Sequence, residues 1–123
     1  MVKRVVIPTA DEGGLDAVVS EHFGRAPFFT VLNFEGKELL GVEVVPNTGE
    51  HFGGAGQPAD NILRLKPDAL IAFGMGPRAI NIFQQACVAV LRANATKVRE
   101  VVEAYKKGSL TELTEGCHEA RHK

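Results

Sequence analysis

Residues 69–83, ALIAFGMGPRAINIF, constrain this chain more than any other stretch. The apolar run Ala69-Leu70-Ile71-Ala72-Phe73 is bounded by Pro67-Asp68 and Gly74. A run this short, closed by turn residues, predicts a strand covered on both faces. Gly74-Met75-Gly76 then turns the chain. Pro77 suits the first position of a helix, where its missing N–H would have no partner anyway. Ala79, Ile80, Ile82, Phe83 and Ala86 recur beyond it at helical spacing. The stretch reads as strand, glycine turn, helix. Free N–H groups at such a helix start favour an anion or another electron-rich ligand. The two glycines suit equally well a tight turn that needs them for backbone reasons only.

Upstream, residues 2–7 predict strand one, ended by Pro8. Residues 9–27 form a long connection, and an ordered loop of that length in a small domain is usually functional. Its second half gathers His22, Gly24 and Arg25. Residues 28–34 predict strand two, rich in aromatic and β-branched side chains. A hairpin turn at Glu35-Gly36-Lys37 leads to strand three at 38–46, with Leu40, Val42 and Val44 on one face. Residues 47–56, NTGEHFGGAG, are a second glycine-rich loop, carrying His51. A short helix at 57–66 follows and is stopped by Pro67. Residues 87–91, CVAVL, predict strand five. Thr96 is expected to cap a third helix, on which Val98, Val101, Val102 and Tyr105 share a face. Gly108 is placed to close that helix, with Leu110 beside it. Residues 1–113 then make a single domain, and residues 114–123, which lack periodicity, a mobile tail dispensable for stability.

The order is β-β-β-α-β-α-β-α. Helical crossovers make strands four and five parallel to strand one. The expected fold is α/β, a five-stranded mixed sheet in the order 3-2-1-4-5 with helices on both faces. Ligands of open α/β sheets sit beyond the carboxyl ends of strands at a switch point. Here that point lies between strands one and four, where residues 9–11 and 74–76 meet. The loops carrying His22, Arg25 and His51 reach toward the same edge.

Composition narrows the function. The 123 residues are 45% hydrophobic and 24% charged, enough for one core without disulfides. A net charge of −1 gives no basic field for nucleic acid. No apolar run nears the roughly 20 residues that cross a membrane, and the first residues are too briefly apolar for a signal peptide. The expectation is a cytoplasmic protein with neither nucleic-acid nor membrane partners. Cys87 and Cys117 form no C-x-x-C and no zinc-ribbon spacing. In that compartment a disulfide between them is not expected, and Cys87, opening an apolar strand, reads as a buried inert thiol. Strand one carries no carboxylate, so a two-metal nuclease centre lacks its ligands.

Three motifs stand in order: S-x-H-F-G-R-A-x-x-F at 20–29, H-x-G-G-A-G at 51–56 and G-x-G-x-x-A at 74–79. Together they resemble the dinitrogenase iron–molybdenum cofactor biosynthesis family, over about residues 2–113. Phe52 and Gly53 depart from the histidine-glycine-alanine-glycine run common in relatives. The resemblance implies a ribonuclease H-like, three-layer α/β/α fold. It implies a carrier rather than a catalyst, holding an iron–molybdenum cofactor or an iron–sulfur cluster precursor, with cluster-assembly or acceptor proteins as partners. No cluster is expected in protein purified in air. The alternative is a small-molecule or anion-binding regulatory module that uses the glycine turns without a metal cluster.

On that resemblance His22 and His51 are candidate imidazole ligands to iron or molybdenum, against a reading of each as a loop histidine bonded to its own turn. Arg25 offers a fork of donors to an anionic cluster, or pairs with Glu21 or Asp11. Gly74, Met75 and Gly76 are the expected lining of the site, where the Met75 thioether touches the cargo or simply packs. Cys117, His118 and His122 combine a thiolate with imidazoles, a set for a soft or borderline metal. They lack a rigid frame and form the weaker candidate.

Overall fold

The strand that opens the chain is also its centre. In β1 (Val2–Thr9) both faces are apolar, and Val5, Val6 and Ile7 are fully buried. The computed structural model of the chain describes residues 2–21, 25–47 and 58–113. On one side β1 pairs antiparallel with β2 (Phe28–Glu35), and β2 with β3 (Glu38–Pro46). Gly36 supplies the positive φ of +63° in their hairpin, where a side chain would be strained. On the other side β1 runs parallel to β4 (Ala69–Ala72), and β4 parallel to β5 (Ala89–Arg92). β6 (Thr111–Glu112) closes the far edge, antiparallel to β5. The sheet is six-stranded and mixed, in the order β3-β2-β1-β4-β5-β6. The five-stranded sheet expected from the sequence is therefore corrected by one strand, its internal order unchanged. Thr111 and Glu112 are exposed and polar, with no apolar pattern to mark them. Pairing with β5 creates the strand, and the Leu113 amide extends it by donating to the Val90 carbonyl at 2.6 Å.

Side-chain alternation along β1 divides the core in two. Val5 and Ile7 join Leu32, Phe34 and Ile71 beneath Val98, Val101 and Val102 of α3 (Val98–Lys107). Val6 joins Phe29, Val31 and Leu70 on the other face. There they meet Ile62 of α1 (Pro58–Leu63) and Phe83 of α2 (Pro77–Gln85). A sheet with parallel centre strands must be covered on both faces, and these helices cover it. The end of α3 follows the expected design. Gly108 sits in the left-handed region at φ +69°, and the Ser109 amide donates back to the Ala104 carbonyl at 3.0 Å. Leu110 packs on the α3-side core beside it.

Several local expectations are corrected. Pro8 does not end β1; it stays in register opposite Phe29. The β1–β4 ladder pairs Val5 and Val6, so the missing N–H lies past it, and the Pro8 carbonyl accepts from Ser20 instead. Leu40 is the extra residue of a bulge, since Asn33 pairs with Gly41 while Phe34 pairs with Leu39. It is 49% exposed and shares no core face with Val42. Helix α1 is shorter than residues 57–66, because Lys66 takes φ +55° after a tightened last turn. Lys97, not Thr96, is the N-cap of α3, without a side-chain cap bond. Cys87 precedes β5 in an exposed turn at φ +65°, and it is disulfide-bonded. The buried inert thiol read from the sequence is thus corrected on both counts. Cys117, the other cysteine of the chain, lies outside the described residues.

Candidate functional site

Because β1, β4 and β5 are parallel, their carboxyl ends share one edge of the sheet. Two segments leave the β1–β4 pair there. The first, after Thr9, is not an open loop. The Ala10 amide donates to Val18, Val19 to Thr96 and Val98 to Ala17, at 2.8, 2.8 and 3.0 Å. Ala17 and Val19 are buried by this docking. The Asp11 carboxylate accepts the amides of Gly13 at 2.8 Å and Val18 at 3.2 Å. Arg99 bonds Asp16 at 2.7 Å in solvent and holds its carboxyl below the usual range. Residues 9–19 are therefore structural, packed against the start of α3. Asp11 is occupied by its own turn rather than by Arg25.

The second segment is the Gly74-Met75-Gly76 turn, and among the described residues nothing packs so closely on its glycines as to require them. Neither has a positive φ, and a Cβ built at either meets no atom of the described residues within 4 Å. Gly76 has φ −71° and ψ 166°, open to any residue. Both glycines are exposed. No positive φ calls for glycine at either position of this turn. Gly76 is also the N-cap of α2, with no side-chain cap bond and no acidic residue in the first turn. Pro77 has no N–H, and the first helical bond runs from the Ile80 amide to Gly76 at 3.1 Å. The amides of Arg78 and Ala79 precede that bond and face the positive end of the helix dipole. Open backbone beside such amides suits a bulky, electron-rich ligand.

Met75 is half-buried and packs on the core of the α1–α2 side, which supports its packing reading. It also lines a shallow cavity of about 370 Å³ with Pro77, Ile80, Asn81, Gln84 and Leu113. Ala26, fully inside the same core, brings the end of the first motif to this side of the sheet. Arg25, next to it, is exposed.

The first two motif loops are joined by a residue that the sequence reading passed over. Asn47 ends the β3 segment and begins the loop that carries His51. Its backbone amide donates to the Pro27 carbonyl at 2.9 Å, and its side-chain amide to the Ala26 carbonyl at 2.8 Å. Asn61 of α1 donates to the Asn47 Oδ1 at 3.1 Å. The signal for it was Pro46-Asn47 at a strand end, where asparagine bonds readily to nearby backbone.

His22 and His51 lie outside the described residues, as do Cys117, His118 and His122. Among the described residues no group of three or more His, Cys, Asp or Glu could hold a metal ion. No helix among them is long and apolar enough to cross a membrane.

Comparison with known proteins gives the family. The solved structure of PH0822 is 29% identical, with a TM-score of 0.76 over 91% of this chain and 96% of that one. The Thermotoga protein TM1290 is also 29% identical, with a TM-score of 0.72 over 95% and 98%. The orange protein of Desulfovibrio gigas, solved in its apo form, shares the fold at 23% identity, with a TM-score of 0.75 over 93% and 94%. The protein MJ0580 of Methanocaldococcus jannaschii is 30% identical over 94 residues, 75% of this chain and 80% of that one. The family described as dinitrogenase iron-molybdenum cofactor matches residues 3–108, nearly all of the described sheet and its helices. The chain belongs to the dinitrogenase iron-molybdenum cofactor family.

Proposed function

We propose that this chain is a cytoplasmic, non-catalytic carrier of an iron–molybdenum cofactor or an iron–sulfur precursor of it. The cluster is cargo, handed between assembly and acceptor proteins. The domain is ribonuclease H-like in this reading and ends near residue 113, with residues 114–123 as a tail. The observation that carries the proposal is the open glycine turn: neither glycine, Gly74 nor Gly76, has a positive φ, and among the described residues no packing requires either. A ligand that closes over the backbone gives a reason for both. Amides at a helix start favour a negative ligand by about 0.3–1 kcal/mol in exposed settings. Sulfide and carboxylate oxygens are fitting acceptors. Arg25 would offset part of the remaining charge, and His22 and His51 would supply exchangeable ligands to metal.

Gly76→Ala separates binding from folding. Alanine adopts the observed φ and ψ without strain, and its gain through the unfolded chain is offset by its being a poorer N-cap than glycine, so stability should stay within about 1 kcal/mol of wild type. The new methyl stands where the cargo approaches, so affinity for isolated iron–molybdenum cofactor should fall several-fold. Anaerobic titration, followed by visible absorbance and by iron and molybdenum analysis, measures the second quantity; thermal melting measures the first. Wild-type protein that takes up no cluster sinks the carrier reading. If it instead binds simple oxyanions at the same turn, the protein is an anion-binding regulatory module.

A further inference from the structure

We infer that Cys87 and Cys117 form a reversible thiol–disulfide tether that holds β6 on the sheet, so that the redox state of the chain decides whether its outer edge is β6 or β5. The inference stands apart from the cargo and takes from the proposed function only the cytoplasmic setting. Cys87 is disulfide-bonded, and the chain has two cysteines, so within one chain its partner is Cys117. The ladder of the described strands leads the same way. β6 runs antiparallel to β5, with Thr111 opposite Arg92 and Glu112 opposite Leu91. The Leu113 amide carries that register on by donating to the Val90 carbonyl at 2.6 Å. From the Leu113–Val90 pair, Cys87 is three residues back in sequence and Cys117 four residues on. In an antiparallel pair both steps lead in one direction. Positions one step out of register lie about 6 Å apart between Cα atoms, within the span of a disulfide.

The tether matters because β6 is weak. It has two residues, both exposed, fewer than a strand usually needs. Leu113 beside it packs on the core of the α1–α2 side and lines the cavity with Met75 and Pro77. With the bond cut, β6 and Leu113 come away together. β5 becomes the open edge, and the cavity beside the glycine turn loses one wall. The loose tail read from the sequence then belongs to the reduced chain. Cys87 is exposed in the turn between α2 and β5, where a reductant can reach it. Exposed disulfides are the labile ones, and those of cytoplasmic proteins are mostly redox-responsive. The co-reactant is a dithiol. One of its thiolates attacks a sulfur of the bond, and the other cysteine leaves as a thiolate and takes a proton. The second thiolate of the reductant then resolves the mixed disulfide. Two cysteine thiols form, and the dithiol ends as a disulfide.

The full chain is prepared in two states, oxidised with glutathione disulfide and reduced with dithiothreitol, both without cargo. Alkylation and mass spectrometry read the thiols, and amide exchange by NMR reads Leu113, with Leu32 inside β2 as the reference. Cys87→Ser and Cys117→Ser are measured beside wild type. The expected oxidised chain is a monomer with neither thiol open to alkylation, and the reduced chain has both. Reduction should speed exchange of the Leu113 amide about tenfold or more and leave Leu32 unchanged. Each serine variant should match the reduced chain and ignore the reductant. Oxidation that gives only dimers or glutathione adducts overturns the tether. A bond that dithiothreitol leaves intact in the folded chain overturns its reversibility. Leu113 exchange that is equal in both states overturns the hold on β6. None of these outcomes touches the carrier reading, and a wild type that binds no cofactor leaves the tether standing.

Discussion

Phe83→Ala is expected to cost about 3–5 kcal/mol of unfolding free energy, the range for removing a fully buried phenylalanine. Phe83 is the fully buried side chain of α2, set among Val6, Phe29, Leu70 and Val90. Its neighbours come from four different strands, so no single element can move in to fill the space. A domain of this kind has only about 5–15 kcal/mol in total, and the loss is a large share of it. The consequence for function follows from position. α2 begins at the Gly74-Met75-Gly76 turn, and Phe83 fixes the helix against the sheet two turns further on. Loosening it lets the helix start shift relative to β1. Phe83→Leu, which keeps most of the volume, should cost much less. Urea unfolding of both variants measures the difference. A loss below about 1 kcal/mol for the alanine variant contradicts the packing of α2 on the sheet.

The parts of the fold that could be read in the sequence are those where burial leaves a pattern. β1, β2, β4 and the parallel crossovers follow from apolar runs, and α3 from its valine stripe and Gly108. β6 left no trace because its two residues are exposed and owe their conformation to β5. Cys87 was misread for a related reason. A small apolar residue before Val88 fits a strand by composition, but the turn out of α2 places it in the left-handed region and in solvent. The docking of residues 10–19 on α3 was invisible because it uses backbone hydrogen bonds, which any sequence can make.

The candidate site was legible as three motifs but not as an arrangement. Glycine at 74 and 76 is compatible with both a strained turn and an open one, and only the dihedrals and the surrounding space distinguish them. The hydrogen bonds of Asn47 reach partners 14 and 21 residues away along the chain. Local spacing does not carry that information.

His22→Ala is expected to lower affinity for isolated iron–molybdenum cofactor by tenfold or more, about 1.4 kcal/mol, with the fold intact. The reasoning starts from what a carrier must do, which is release its cargo. A full set of thiolates would hold iron too firmly, whereas a neutral imidazole is an exchangeable ligand. The glycine-bearing loops contain two imidazoles, His22 and His51. His22 ranks first because the run around it, residues 20–29, resembles the family motif more fully than the run after His51, where Phe52 and Gly53 depart from it. His51→Ala should therefore show a smaller loss. Arg99→Ala is the control, because Arg99 pairs with Asp16 in solvent on α3, which packs on the opposite face of the sheet from Ala26 and α2. Its affinity should match wild type. The three variants are titrated under strict anaerobiosis, with metal analysis of the recovered protein. Equal binding by His22→Ala and wild type removes His22 as a ligand, and an equal loss in the Arg99 control would show that the assay reports stability rather than ligation.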